Sequence, residues 1–263
     1  MLETLKVIAH HGTNIDAASR EMQTRNHLPR AGGEMIRGVH VCPLRSLTLP
    51  PLTHTNCYFL GEREMVIVDP ASPFDDEQEK LLSYIEYLQD QGTVMKEIWI
   101  THHHHDHTGA VQMLREKLRI PVATHRATAE IIKYDIPVDR LLDDGQTYHF
   151  NFVEGPSSEW SALHTPGHAN GHLCFYEKNT GTLLSGDHIL GWGTAIIAPP
   201  DGNMADYLRS LERLRALRLG FIFPGHGPPV AAAHDRIDYY IAHRREREQD
   251  ERPTEHPHAA TPL

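Results

Sequence analysis

Thr101-His102-His103-His104-His105-Asp106-His107-Thr108-Gly109 follows the apolar run Ile98-Trp99-Ile100 and precedes an amphipathic run from Ala110 to Leu118. That setting predicts a loop between a buried strand and a helix. Four consecutive imidazoles followed by Asp-His are more nitrogen and carboxylate ligands than a solvated loop needs. Read as His-x-His-x-Asp-His, the stretch offers His102, His104, Asp106 and His107. A loop at the C-terminal end of a strand turns alternate side chains toward a common cleft. The first two would hold one metal and the second two a neighbouring metal. Standing alone, His102 to His105 could equally be an adventitious metal-binding tract or a surface loop. Asp106, His107 and the rest of the chain weigh against that.

The chain has 263 residues, enough for one sizeable α/β domain or a small pair. Its 40% apolar and 23% charged content is ordinary globular composition. No apolar run approaches the roughly 20 residues of a membrane span, and the N-terminus does not read as a signal peptide. The three cysteines, Cys42, Cys57 and Cys174, are far apart and read as reduced, inert thiols of a cytoplasmic protein. A formal net charge of -10 disfavours nucleic acid and anionic membrane as partners. A small-molecule substrate is the expected partner, and both a monomer and a homodimer are compatible with the chain. The anomaly is histidine, 21 residues concentrated near Gly, Asp and Pro.

Residues 1–33 read as an N-terminal extension, with a turn at His10 to Asn14, a short helix from Ala17 to Arg25, and solvated Arg20, Arg25 and Arg30. Residues 34–250 form the body of the protein, and 251–263 a disordered tail rich in proline. Val39 to Leu49, Thr53 to Leu60 and Met65 to Val68 predict an antiparallel meander. Asp75 to Gln91 predicts a helix with acids in its first turn, Gly92 at its end and Leu81, Ile85 and Leu88 inward. Lys96 to Thr101, the helix after the His cluster and Pro121 to His125 make a βαβ unit. A short helix from Ala127 to Tyr134 and a loop from Pro137 to Asp144 follow. Strands resume at Gln146 to Val153, Trp160 to His164, Leu173 to Tyr176, Thr182 to Ser185 and Phe221 to Phe223. Helices are expected from Asn203 to Arg218 and from Ala231 to Gln249. The alternating charges from Arg244 to Glu248 read as a solvated face.

Four strands or loops therefore end on a glycine-rich turn with a metal-binding residue. The set is His102, His104, Asp106 and His107, then His168, then Asp187, then His226. It divides into His102, His104 and His168 for one ion and Asp106, His107 and His226 for the other, with Asp187 able to bridge. Each ion then keeps room for water, as catalysis requires. Gly167, Gly186 and Gly225 each precede a ligand, which fits sharply turned backbone.

Gly-His or Gly-Asp alone occurs by chance; the ordered set does not. In its order the set resembles the metallo-β-lactamase superfamily over about residues 53 to 243. The resemblance implies an α+β (α/β) fold, a four-layer αββα sandwich with the metals at one edge of the two sheets. The order His168, Asp187, His226 is similar to the glyoxalase II-like hydrolases. Gly186-Asp187-His188-Ile189-Leu190-Gly191-Trp192-Gly193-Thr194, Pro224-Gly225-His226-Gly227-Pro228 and Tyr240-Ile241-Ala242-His243-Arg244 most resemble the β-lactamase-like protein 2 group. Some members of that group cleave single-stranded RNA with an added C-terminal helical domain. Most of that domain is missing here, and so are the identifiable basic residues with which glyoxalase II binds glutathione.

The implied activity is that of a dinuclear hydrolase. Two divalent ions about 3.5 to 4 Å apart share a bridging hydroxide that attacks a thioester, ester or lactone carbonyl. Zn²⁺ is the expected ion, and Mn²⁺ or Fe²⁺ would tolerate the same ligands. Asp106 holds the second ion and orients the hydroxide or passes its proton. His103, His105, His172 and His188 are not expected among the ligands, and Trp192 either lines the pocket or packs. The alternatives are a single-strand endoribonuclease or phosphodiesterase, a mononuclear iron persulfide dioxygenase, and a metal-stabilised protein without activity.

Overall fold

The computed structural model describes residues 32–250, with side chains described up to residue 246. The expectations for residues 1–31 and for the tail 251–263 lie outside the described residues.

Two mixed sheets form the centre. The first has seven strands in sequential order, β1 (Gly33–Ile36), β2 (Val39–Arg45), β3 (His54–Gly61), β4 (Glu64–Val68), β5 (Val94–Ile100), β6 (Val122–Thr124) and β7 (Arg140–Leu141). Its first half is the expected antiparallel meander, and β4 to β7 run parallel. The second sheet has the order β12 (Phe221–Pro224), β11 (Thr182–Gly186), β10 (Leu173–Glu177), β9 (Ser158–His164) and β8 (Thr147–Phe150). There β11 and β12 are parallel and the other pairs antiparallel.

Strand periodicity explains the layering, because successive side chains leave opposite faces. In β3, Cys57 and Phe59 face an outer core shared with helix α1 (Asp75–Asp90), whereas Tyr58 and Leu60 face the second sheet. In β5, Ile98 and Ile100 take the outer core and Trp99 the inner one. Likewise Leu173 and Phe175 of β10 point inward, and Cys174 points to a third core. That third core is closed by α5 (Met204–Arg215) and α6 (Ala233–Asp250). The order is helix, sheet, sheet, helix. Each fully buried Leu, Ile or Phe in these cores contributes roughly 1.5–3 kcal/mol. Trp99 fastens the two sheets: its ring centroid lies 4.6 Å from that of Tyr148 and 4.8 Å from that of Phe175.

Helix α1 follows its predicted logic. Asp75, Asp76 and Glu77 occupy the first turn, and Leu81, Tyr84, Ile85 and Leu88 are buried. The three thiols are free and buried.

Several boundaries differ from the sequence reading. The His cluster is not wholly a loop, because His105–Thr108 winds into one helical turn, α2. Helix α3 (Val111–Leu118) follows. The expected loop from Pro137 to Asp144 contains β7, since the short α4 (Arg126–Ile132) returns the chain beside β6. The end of α6 is not all solvated. Arg245 pairs with Glu212 on the surface, but Arg244 is buried and donates to the Ala195 carbonyl.

What positions the site is the shared direction of five strands. The chain leaves β4, β5, β9, β11 and β12 at one edge of the sandwich, so their following turns meet. Backbone bonds lock that edge. Asn56 N donates to Gly225 O at 2.7 Å, Leu173 N to Thr101 O at 2.9 Å, and Gly225 N to Gly186 O at 2.8 Å. The Tyr58 hydroxyl adds a bond to Pro224 O at 2.8 Å.

Candidate metal centre

All seven side chains singled out in the sequence converge at this edge, in two groups. The first is His102, His104 and His168; the second is Asp106, His107, Asp187 and His226. Within each group the facing atoms lie within 4.8 Å of one another.

In the first group, His102 Nε2 is 3.0 Å from His104 Nδ1, and His168 Nε2 is 3.3 Å and 3.1 Å from these two. Outer partners decide which ring nitrogen faces inward. Thr101 Oγ1 donates to Asp69 Oδ2 at 2.7 Å, so it accepts from His102 Nδ1 at 2.9 Å. His168 Nδ1 donates to the Ile196 carbonyl at 2.7 Å. Both Nε2 atoms are therefore bare lone pairs when the rings are neutral. Three lone pairs facing one another at about 3 Å repel unless a cation sits among them. A tetrahedral ion with metal–nitrogen bonds of about 2.05 Å would set such nitrogens roughly 3.3 Å apart. The residues fit.

The second group repeats the pattern. His107 Nδ1 donates to Asp69 Oδ2 at 2.8 Å, and His226 Nδ1 donates to the His54 carbonyl at 2.8 Å. Their Nε2 atoms then face each other at 3.3 Å. Asp106 Oδ2 lies 3.2 Å from His226 Nε2, and Asp187 Oδ1 lies 3.2 Å from His107 Nε2. Asp187 Oδ2 is 3.3 Å from His226 Nε2 and 3.8 Å from His168 Nε2, so this one carboxylate reaches both groups.

The two groups differ electrostatically. Burial and the neighbouring rings His107, His168 and His104 push His102 well below the usual imidazole range. Burial, with His168 and His103, lowers His104 to about 4. Burial also opposes charge on His107, but Asp187 and Asp69 outweigh it and raise this ring well above the usual range. His226 behaves alike: Asp187 and Asp106 overcome burial and lift it to about 9. Burial would raise Asp106, yet the His226 hydrogen bond and the His107 charge bring it to about 2. His102 and His104 are thus ready to accept a cation at neutral pH, whereas His107 and His226 must first release protons.

Local backbone explains the aim of the ligands. Gly167 has φ 137°, and a Cβ there would come within 2.3 Å of the Tyr207 backbone at the start of α5. Gly225 serves space rather than a turn. Its Cβ would sit 2.6 Å from Asp187 Oδ1 and 2.8 Å from the His107 ring.

Other histidines lie outside these two groups, although His103 forms a third cluster with His104 and Asp201 that could hold an ion. His172 Nδ1 donates to Thr165 Oγ1, and its Nε2 accepts from the Asp187 backbone N at 3.2 Å, which fixes the turn carrying that carboxylate. His188 is fully buried beside the Tyr207 ring. His103 lies 3.9 Å from Asp201, and His105 lines the cavity over the site. His125 caps α4 and stacks on His164, a structural role. Trp192 lines the cavity.

Sequence reasoning missed Asp69. Its carboxylate accepts from Thr101 N, Thr101 Oγ1 and His107 Nδ1, and so orients one ring in each group. It adopts φ 52°, an uncommon conformation for a residue other than glycine. The signal was a carboxylate closing the buried apolar run Met65 to Val68.

Comparison with known proteins agrees with this geometry. Residues 50–226 match the family described as the metallo-beta-lactamase superfamily. The chain is 33% identical over 205 residues to the beta-lactamase-like protein 2 homolog of Drosophila melanogaster, covering 75% of this chain and 67% of that one. It is 28% identical over 222 residues to thioesterase pkgB of Emericella nidulans, covering 82% of this chain and 59% of that one. The chain thus spans three-fifths to two-thirds of the length of these relatives. Among solved structures it is similar to TTHA1623 in a di-iron-bound form, with 29% identity, a TM-score of 0.57, and coverage of 72% of this chain and 96% of that one. The matched region runs from the turn before β3 to His226, and with the four-layer sandwich and the paired His/Asp groups it leaves one conclusion: the chain belongs to the metallo-β-lactamase superfamily, whose fold implies divalent-metal binding.

Proposed function

We propose that the chain is a dinuclear metal-dependent hydrolase acting on a small carbonyl substrate, a thioester, ester or lactone. The observation that carries the reading is Asp187, one buried carboxylate within reach of both imidazole groups. His102, His104 and His168 would hold one ion, Asp106, His107 and His226 the other, and Asp187 both. Two such ions supply an ionised water at neutral pH and polarise the oxygen under attack. Zn²⁺ is the ion we propose. The same donors suit Fe²⁺ or Mn²⁺, and TTHA1623 is known with two irons.

The chain's own groups do the positioning. Asp106, His104, His168, Asp187 and His226 all border the cavity, so a carbonyl carbon entering it meets both groups. Asp106, at about 2, stays ionised through the neutral range. Such a carboxylate is a poor proton store at pH 7, so its role is to accept a hydrogen bond and orient the attacking oxygen. The similarity to a named thioesterase supports a thioester over a phosphodiester.

Metal analysis joined to a substrate panel tests this. The purified chain should hold two ions and hydrolyse thioesters, esters or lactones in preference to β-lactams and short RNAs. His104→Ala and Asp187→Ala should each lower metal content and abolish turnover. Retained metal and activity in either variant would refute the ligand assignment.

A further inference from the structure

The cavity over the two groups is about 460 Å³, within the range of small-molecule sites. Its floor is formed by His104, Asp106, His168, Asp187 and His226. One wall is the turn between β2 and β3, with Leu47, Leu49 and Leu52; the other follows β11, with Leu190, Trp192 and Ile196. Leu47, Leu49 and Ile196 are 60%, 63% and 56% exposed. Large apolar side chains held in solvent beside a reactive centre are a binding surface more readily than an accident.

The charge of the lining is equally informative. No lysine or arginine is among the described residues around this cavity. Two buried cations behind its wall, Arg236 and Arg244, donate to the carbonyls of Leu190, Gly193 and Ala195. Recognition of a carboxylate or phosphate away from the metals would call for such a cation. Instead the rim carries a further carboxylate, Asp201, whose Oδ2 is buried without a hydrogen-bond partner.

We propose that the substrate presents an uncharged, apolar acyl group, seated between the Leu47–Leu52 turn and the Leu190–Ile196 segment, with its carbonyl at the metal groups. This rests on the hydrolase reading and narrows it. The selected feature is the acyl side; the carrier thiol or alcohol needs no anionic handle.

The test is a series of acyl thioesters of N-acetylcysteamine, from acetyl to decanoyl, given to the metal-loaded chain. Each methylene that enters the cavity should raise kcat/KM about threefold to fourfold until the cavity is filled. The same acyl groups on coenzyme A should gain nothing from its phosphates, and succinyl should lose to butyryl by tenfold or more. The double variant Leu47→Ser, Leu49→Ser, altered only at exposed side chains, should flatten the chain-length slope while retaining two bound ions. A flat slope in the parent protein, or a preference for succinyl, overturns the proposal. Calorimetry with non-cleavable ketone analogues of the same lengths separates the two ideas. If affinity climbs with length but no thioester, ester or lactone of these acyl groups is cleaved, the hydrolase reading fails and the apolar subsite stands. If neither climbs, the subsite is refuted.

Discussion

His107 Nδ1 lies 2.8 Å from Asp69 Oδ2, and both side chains are buried. The same oxygen accepts from Thr101 Oγ1, which in turn accepts from His102 Nδ1. One carboxylate outside the ligand set thus fixes the tautomer of a ring in each group, directly for His107 and through a hydroxyl for His102.

Asp69→Asn should separate this role from simple packing. Asparagine fits the space and tolerates φ 52°. Its oxygen can still accept from Thr101 N, but its amide then presents N–H toward His107 Nδ1. His107 is driven to the other tautomer, with Nε2–H aimed into the second group. The second ion should bind about 10- to 100-fold more weakly while the fold survives. Chelator competition reads the affinity, and thermal unfolding reports the fold. Two ions held as tightly as in the parent would remove Asp69 from the design.

Metal loading should be asymmetric in pH. Burial depresses His102 and His104, the latter to about 4, so neither ring has a proton to release near neutral pH and their share of the first ion's affinity should change little from pH 6 to 8. His107 and His226 are raised, the latter to about 9, so the second ion must displace protons and should bind more tightly as pH rises through that window. Titration with Zn²⁺ in buffers of different ionisation enthalpy should show about one proton or more released with the second equivalent. The metal-free chain follows the matching sign. A ring raised in the folded state contributes stability that is complete below its unfolded value, near 6.5, and is lost as pH rises through about 9. The melting temperature of the metal-free chain should therefore fall between pH 7 and 10. Equal proton release for both ions would contradict the assignment.

The seven candidate ligands were legible because each closes or follows an apolar run, and strand periodicity alone placed those runs in buried sheets. His168, Asp187 and His226 needed only the shared direction of β9, β11 and β12 to meet the His cluster. What orients them was not legible. The Ile196 carbonyl under His168 and the His54 carbonyl under His226 are backbone groups, brought there by contacts 28 and 172 positions apart. Backbone acceptors leave no mark on residue identity. Two-residue strand β7 and one-turn helix α2 were missed for a related reason: their pattern is too short to repeat, and pairing with β6 or packing under β3 decides them. Arg244 shows the opposite error. A charged residue in a run of alternating charges reads as solvated, yet helix α6 turns this one inward.

That inward turn has a consequence for the metal. Arg244 donates to Ala195 O, and the next carbonyl, Ile196 O, accepts from His168 Nδ1 at 2.7 Å. Arg236 and Tyr240, from the same helix, hold Gly193 O at 2.9 Å and 3.0 Å. Helix α6 therefore clamps the segment that forms one cavity wall and sets the angle of one first-group ring. Arg244→Met keeps the side-chain bulk but leaves Ala195 O without its charged donor, a loss of about 1.5–3 kcal/mol in stability. If the clamp only stabilised the fold, both ions would bind as before at a temperature where the variant is folded. Because His168 leans on the neighbouring carbonyl, the first ion should weaken selectively, and Arg244→Lys, which can still donate, should recover part of it. Equal affinity of Arg244→Met and the parent for the first ion would show that Ile196 O holds its place without the helix.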